Sequence, residues 1–348
     1  SDANGTYLAV GVPEYDSAGL NSGQVKVYSL LDNSWVQSGD DINGLSSNEL
    51  SGFSVSISSD GNSVAVGSPQ YNQNGNDIGK VVVYRNVIIG GNEQWSAEND
   101  IVGENTNDLF GYSVSLAGGT SADTVAIGAP GKDGSTGEVK IYWLNGSSWD
   151  LLGSSISGES LNDEFGKSIS ISQSGTRVAI GAPFNDDNGL NSGQVRIYDL
   201  VQDEWVENTV INGVNSGDNF GMAVSLSENG SYLAVGASNA NYGSGSVHIY
   251  EEDDGNWIQS GYEISGEFHY DNFGSSVSIS DNGSRVLIGA PNNNANGNNS
   301  GTAYIYELVG SDSTWYNVGS GISGSSSNDQ FGFSVSLSGD GVSFVIGS

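Results

Sequence analysis

The sequence has no cysteine, five prolines, two histidines and nine basic residues among 348. The lack of cysteine excludes disulfides, thiol catalysis and cysteine-ligated zinc. No apolar run approaches the roughly 18 residues that span a bilayer, so we expect no membrane insertion in this chain. Histidine is the commonest catalytic base and cysteine is a strong nucleophile, and no pair of carboxylates stands out in an apolar setting. We therefore expect the protein not to be an enzyme.

Basic charge is scarce relative to acidic charge. The sequence has nine Lys and Arg residues and 41 Asp and Glu residues, which gives a formal net charge of −32. Such a surface repels nucleic acid and anionic membranes, so neither is expected as a partner. It suits divalent cations and cationic partners, although Asp is also abundant wherever a chain forms many turns.

The abundant feature is an internal repeat. From Gly11 to Gly347 there are 336 residues over six intervals, a mean of 56. All five prolines stand in a Gly-x-Pro motif, and six of the seven tryptophans occupy one position of the repeat. A Phe-Gly pair opens the copies at Phe110, Phe165, Phe220, Phe273 and Phe331, and the second copy has Ser51-Gly52 in that place. Periods of this length indicate solenoids, propellers or arrays.

One copy, residues 165–198, shows the local structure. Residues 168–172 alternate small polar and apolar side chains, which predicts a half-buried strand, and Ser174-Gly175 predicts a hairpin turn. Residues 178–180 are an apolar run typical of a buried strand, after which Gly181 is expected to turn the backbone. No window has the apolar stripe of a helix, so we expect essentially no helix.

Four antiparallel strands per copy favour an all-β propeller, in which neighbouring blades bury one another's faces. The repeated Tyr and Trp residues are then expected to wedge between blades. The landmarks give 25 strands, one more than six blades need and three fewer than seven need, so both counts stay open, with one blade closed by the N- and C-terminal strands. The chain begins inside a repeat, which predicts a piece of a longer protein. We expect a single domain with blade fragments 1–47 and 328–348 and repeats 48–106, 107–161, 162–216, 217–269 and 270–327.

The paired motifs carry a family resemblance. Phe-Gly opening a strand and Gly-Ala-Pro closing the next, as at Gly128, Gly181 and Gly289, resemble FG-GAP repeats over the whole chain. The resemblance implies a β-propeller similar to the integrin α-subunit head, which is usually seven-bladed, and it thus slightly favours seven blades over six. It also implies a position outside the cell and a role in adhesion, ligand binding or structural display. Integrin-type copies often carry a calcium loop between the first two strands. Here that place holds only a tight turn such as Asp60-Gly61, so calcium does not carry over to it.

Two sets of oxygen-rich side chains are candidate cation sites. An acidic residue stands two before the Phe-Gly position in every copy, where it is expected first to cap a turn and alternatively to bind Ca²⁺. The set is Glu49, Asp108, Asp163, Asp218, Asp271 and Asp329. In the loop after one Gly-x-Pro motif, Asp186, Asp187 and Asn188 form the other candidate calcium site.

Five sequons are candidate glycosylation sites, and two of them fall in hairpin turns. The acceptor residues are Asn4, Asn145, Asn229, Asn282 and Asn298. Asn-rich chains also form sequons by chance.

The sequence predicts a non-enzymatic extracellular propeller that binds a protein or polysaccharide at the cell surface through its acidic loops. The alternatives are a building block that assembles with copies of itself into a filament or coat through blade edges, and a carbohydrate-binding module.

Overall fold

A computed structural model describes residues 1–118, 123–310 and 314–348. Over these residues the fold is an all-β propeller of four-stranded antiparallel blades, six in number. The slight preference for seven is thus not confirmed, while the alternative of six is. The chain divides into two compact units, residues 1–176 with 200–205, and residues 177–199 with 206–348.

The first unit contains the first three sheets. The first sheet consists of β1 (Tyr7–Val12), β2 (Gln24–Leu31), β3 (Ser34–Gln37) and β4 (Ile42–Asn43). The second consists of β5 (Ser54–Ile57), β6 (Ser63–Ser68), β9 (Lys80–Ile89), β10 (Asn92–Ala97) and β11 (Ile101–Val102), and the hairpin of β7 (Asn72–Gln73) and β8 (Asn76–Asp77) precedes β9. The third consists of β12 (Ser113–Ala117), β13 (Thr124–Ala129), β14 (Glu138–Asn145), β15 (Ser148–Leu151) and β16 (Ile156–Ser157), with the short helix α1 (Lys132–Ser135) before β14.

The later sheets repeat this order. The fourth consists of β17 (Ser168–Ile171), β18 (Arg177–Ala182), β19 (Gln194–Val201) and β20 (Glu204–Asn212). The fifth consists of β21 (Phe220–Leu226), β22 (Tyr232–Ala237), β23 (Ser246–Asp253), β24 (Asn256–Gln259) and β25 (Ile264–Ser265), with α2 (Ala240–Gly243) before β23. The sixth consists of β26 (Ser276–Ile279), β27 (Arg285–Ala290), β28 (Thr302–Leu308), β29 (Trp315–Asn317) and β30 (Ile322–Ser323). Finally β31 (Ser334–Leu337) pairs with β32 (Phe344–Gly347). Closure of a blade by the two ends of the chain stays a prediction.

The core lies between successive sheets. In the first unit one apolar cluster joins the first and second sheets around Val25 and Val64, which are fully buried. In the second unit another joins the fifth and sixth sheets around Val247 and Val286. Within each unit, successive sheets cover one another's faces, because one small sheet alone cannot bury both of its faces.

The glycines of the two motifs meet each other. A Cβ on Gly128, in the Gly-x-Pro motif, would lie 2.2 Å from the carbonyl oxygen of Gly166, in the next Phe-Gly pair. Gly181 lies inside β18, and a Cβ on Gly221 would lie 3.3 Å from its Cα. The expectation that Gly181 turns the backbone is therefore wrong, because close approach of the next copy is what requires glycine there.

Several of the repeated tryptophans contact the preceding copy. The indole N–H of Trp95 donates to the carbonyl of Ser38 at 2.8 Å, and that of Trp315 donates to Ser260 at 3.0 Å. The wedge position expected for the repeated tryptophans is confirmed for Trp95 and Trp315, whose polar edge finds a backbone partner while the ring packs on apolar side chains. Trp35 departs from it, since it is 44% exposed.

The helices α1 and α2 are single turns of four residues each. Both contain residues with positive φ, namely Asp133 and Gly134 in α1 and Asn241 and Tyr242 in α2. The expectation of essentially no helix therefore needs only this small correction. None of the helices in the described ranges has the length and apolar character that crossing a membrane requires.

Candidate functional site

The acidic residues two before the Phe-Gly position act mainly in loop hydrogen bonding. The Oε1 atom of Glu49 accepts from the amide of Leu45 at 2.6 Å, and the Oδ2 atom of Asp329 accepts from the amide of Ser325 at 2.9 Å. In three other copies the carboxylate accepts from a side-chain amide instead. These pairs are Asp108 with Asn105 at 3.1 Å, Asp218 with Asn215 at 3.0 Å, and Asp271 with Asn293 at 2.5 Å. Asp163 occupies the same position and is 3% exposed.

The candidate loop of Asp186, Asp187 and Asn188 is exposed, and its polar atoms hold the loop itself. Asp186 Oδ1 accepts from the amide of Asn191 at 2.7 Å, and Asp187 Oδ2 accepts from the side-chain amide of Gln194 at 2.9 Å. The side-chain amide of Asn188 donates to the carbonyl of Gly213 at 3.0 Å. These contacts use one carboxylate oxygen each of Asp186 and Asp187 to hold the loop.

Calcium therefore stays a prediction with little geometric support. No group of three or more His, Cys, Asp and Glu side chains arranged to hold a metal occurs in the part of the chain that the structure describes. Hard cations such as Ca²⁺ take six to eight oxygens. Melting curves with and without a chelator test the prediction directly.

The five sequon asparagines are all exposed, as glycosylation requires. In the turns, the Oδ1 of Asn229 accepts from the amide of Ser231 at 2.9 Å, and the Oδ1 of Asn282 accepts from the amide of Ser284 at 3.0 Å. Use of these sites stays a prediction.

An exposed group of aromatic side chains in the second unit was not foreseen from the sequence. We call Tyr242, Phe268, His269 and Tyr270 the aromatic patch. Tyr242 is 84% exposed, Tyr270 is 75% exposed and Phe268 is 56% exposed. The His269 ring lies 5.9 Å from the Tyr242 ring and 6.4 Å from the Tyr270 ring, centroid to centroid. Burial therefore does not explain why this loop carries aromatic rings.

Both tyrosines of the patch have an unfavourable backbone conformation. Tyr242 has φ 62° and Tyr270 has φ 67°, in the left-handed region that bulky side chains avoid. At the position of Tyr270 the other copies have asparagine or glycine, with a similar φ. These residues are Asn48, Asn107, Asn162, Gly217 and Asn328. In the matching helical turn, α1, Gly134 stands where α2 has Tyr242. Strain of this kind persists mainly at functional sites.

Polar groups border the aromatic patch. The side-chain amide of Asn241 donates to Glu263 at 3.5 Å, and the Ser265 hydroxyl donates to the same carboxylate oxygen at 3.0 Å. His269 Nδ1 lies 3.3 Å from the carbonyl of Asn241. Asn241, Glu263 and Glu267 are exposed. The patch thus combines ring faces with both donors and acceptors. An alignment of the internal copies places Tyr270 at a position that holds asparagine or glycine in the other copies. That exchange is the sequence signal from which the patch could have been predicted.

A buried histidine lies in the same sheet. The imidazole of His248 is 14% exposed, lies 4.0 Å from the Glu263 carboxylate, and packs edge-on against Phe220 at 5.5 Å. Burial lowers the pKa of His248, and the carboxylates of Glu263 and Asp218 oppose that shift. Burial thus disfavours the protonated form of this packed ring.

The repeat geometry can be compared with known families. The family model "FG-GAP repeat" matches residues 146–198 and 267–306. In the six-bladed structure both segments fall on the Phe-Gly and Gly-x-Pro strands whose glycines pack together. The chain is an FG-GAP repeat β-propeller. None of the curated proteins matches it in sequence.

Among solved structures, this FG-GAP propeller is similar to a candidate 6-phosphogluconolactonase from Bacteroides uniformis ATCC 8492. The TM-score is 0.60 at 13% identity, over 90% of this chain and 82% of the other. At this identity the likeness shows the fold alone. The prediction that the protein is not an enzyme is nevertheless wrong as it was drawn, because a chain of the same fold bears an enzyme's name and the propeller gives no ground for excluding catalysis.

Proposed function

We propose that this FG-GAP propeller is an extracellular binding protein whose aromatic patch takes a neutral glycan at a cell surface. The observation that carries the proposal is the pair of exposed, strained tyrosines at positions where other copies have asparagine or glycine. Natural proteins keep strained residues where activity needs them, at the expense of stability.

Ring faces and planar polar groups are complementary to a sugar. The electron-rich face of an aromatic ring attracts the slightly positive C–H groups of a pyranose. Asn241 can donate to hydroxyls and Glu263 and Glu267 can accept from them. A net charge of −32 disfavours acidic polysaccharides, so the ligand class is neutral.

Five exposed sequons are consistent with an extracellular position, which is part of the proposal. Adhesion would follow from glycan binding if the propeller is displayed on a surface.

The test restores the residues of the repeat. We expect wild-type protein to be retained by at least one of immobilised β-glucan, mannan and chitin oligomers, and the double variant Tyr242→Gly with Tyr270→Asn to lose that retention at least tenfold. Tyr15→Ser is the matched control, because Tyr15 is 50% exposed and lies in the other unit.

The double variant should be no less stable than wild type, so lost binding cannot be ascribed to unfolding. Unchanged retention of the double variant would overturn the proposal. Retention on immobilised tri-lysine in place of every glycan would do so as well, since acidic groups beside aromatic rings also suit a cation.

A further inference from the structure

The second copy lacks the phenylalanine that opens most others. In the other copies this side chain is buried: Phe110 is 4% exposed, Phe165 1%, Phe220 3% and Phe273 2%. Ser51 stands there in the second copy and is itself 5% exposed. Beside it is a cavity of about 90 Å³, which Ser51 lines. Replacing a large buried ring by a hydroxymethyl group leaves space, and here the space is not refilled by apolar atoms.

Two charged side chains that are unusual for their positions line the same cavity. Glu49 stands where the other copies have aspartate. Lys80 is the first residue of β9. At the matching position the other copies have an uncharged or an acidic side chain. The counterparts of Lys80 are Gln24, Glu138, Gln194, Ser246 and Thr302. Three departures from the repeat therefore meet at one place.

The hydrogen-bonding capacity of these groups is incompletely used. Glu49 is 1% exposed, and within the described residues its Oε2 atom has no hydrogen-bond partner. The Lys80 side chain is 6% exposed, with its ammonium 4.0 Å from the Asp100 carboxylate and 4.2 Å from the centre of the Tyr71 ring. A buried carboxylate oxygen without a donor is costly, which indicates that another group supplies one.

The cavity reaches one exposed residue and shares part of its lining with a second cavity. Leu45, which is 77% exposed, stands at its wall. Asn43 and Tyr84 also line an adjoining cavity of about 200 Å³, whose other walls include Asp41 and Trp95. The combined volume of the two cavities lies just below the roughly 300–1,000 Å³ of pockets that hold drug-sized ligands. They can take one small unit with its end at Ser51.

We infer that this cavity is a second binding site, which takes adjacent hydroxyls of one neutral sugar unit. A hydroxyl both donates and accepts, so one group can donate to Glu49 Oε2 and accept from Lys80. The Tyr84 phenol lines both spaces, and burial together with the Asp100 and Glu49 charges raises its pKa to about 12, so it remains a donor. The neutral ligand adds no charge to a cavity that already holds carboxylates and an ammonium group.

The test separates this site from the aromatic patch by using the Tyr242→Gly, Tyr270→Asn background throughout. The probes are the methyl glycosides of glucose, galactose and mannose, followed by saturation-transfer NMR. We expect transfer to at least one of them, and a loss of at least tenfold when Ser51→Phe fills the cavity with the residue that the repeat has elsewhere.

Lys80→Gln is the second variant, since Gln24 and Gln194 occupy the matching positions and the change keeps the cavity open. It should weaken binding severalfold and leave the melting midpoint unchanged. Absence of transfer to every glycoside would show a cavity filled by water only and would overturn the inference. Binding of glycine in preference to the glycosides would overturn it too, because a zwitterion fits the same two charges.

Discussion

Arg177 in β18 forms a bidentate ion pair with Asp199 in β19. The Nε atom lies 2.6 Å from Oδ1 and the Nη2 atom 3.0 Å from Oδ2. The guanidinium also donates to the carbonyl of Gly230 at 3.0 Å and lies over the Trp257 ring at 5.5 Å. The pair thus connects two successive sheets of the second unit.

Asp199→Asn should lower the free energy of unfolding by about 1.5–3 kcal/mol, because hydrogen bonds to charged groups contribute that much. Urea denaturation measures it. Glu307→Gln is the comparison, since Glu307 meets Arg285 through one contact at 3.3 Å and both side chains are 33% exposed. A loss at Glu307 equal to that at Asp199 would contradict this account.

Gly128→Ala should be among the most damaging small substitutions. The new Cβ would lie 2.2 Å from the carbonyl oxygen of Gly166, which also accepts from the Ser113 hydroxyl at 2.7 Å. We expect a loss of about 3 kcal/mol or more in urea denaturation. At Gly146 a Cβ would meet nothing within 4 Å, so Gly146→Ala should have only the backbone cost of its φ of 68°, about 1 kcal/mol.

His248 should make stability depend on pH. Its folded pKa is lowered from 6.5 by burial, so the unfolded state takes up a proton first. The stabilisation is complete above pH 6.5 and is lost as pH falls from there through the folded pKa. Urea midpoints at pH 7, 6 and 5 should decline in wild type and decline less in His248→Gln. An equal decline in both proteins would assign the effect to other groups.

Tyr270→Asn should stabilise the protein by about 1 kcal/mol, because asparagine tolerates the left-handed conformation better. The tyrosine is 75% exposed, so little buried area is lost. The reverse exchange, Asn107→Tyr at the same φ of 67°, should destabilise by a similar amount. Both are measured by urea denaturation. A stability loss in Tyr270→Asn would show that the ring supports the fold.

Much of the fold could be predicted because the same motifs recur at the same positions of each copy. The Phe-Gly and Gly-x-Pro motifs predicted strands, and the spacing of Trp315 and its counterparts predicted packing between sheets. The role of Gly181 could not be read locally, since the atom that excludes a side chain belongs to the next copy. Blade count was likewise undecided, because the landmarks give the number of strands but not which strands pair.

The site residues were harder to predict. Glu49 and Ser51 were both visible as departures from the repeat, but a cavity between them and Lys80 exists only in three dimensions. Tyr242 lies in a loop whose length and sequence vary among copies, so its match to Gly134 appears only when backbone angles are compared. The acidic loops are conspicuous in the sequence because of their charge, whereas in the structure one carboxylate oxygen each of Glu49, Asp186 and Asp187 accepts a hydrogen bond from the chain close by.

The packed glycines, Gly128 against Gly166 and their counterparts, make each junction dependent on two neighbouring copies at once. Neither half of a junction can drift towards a larger residue while the other stays fixed. Loops that lie away from the junctions, such as those bearing Tyr242 and Tyr270, remain free to diversify. An array built this way can acquire new binding surfaces one copy at a time while the packing between its blades stays unchanged.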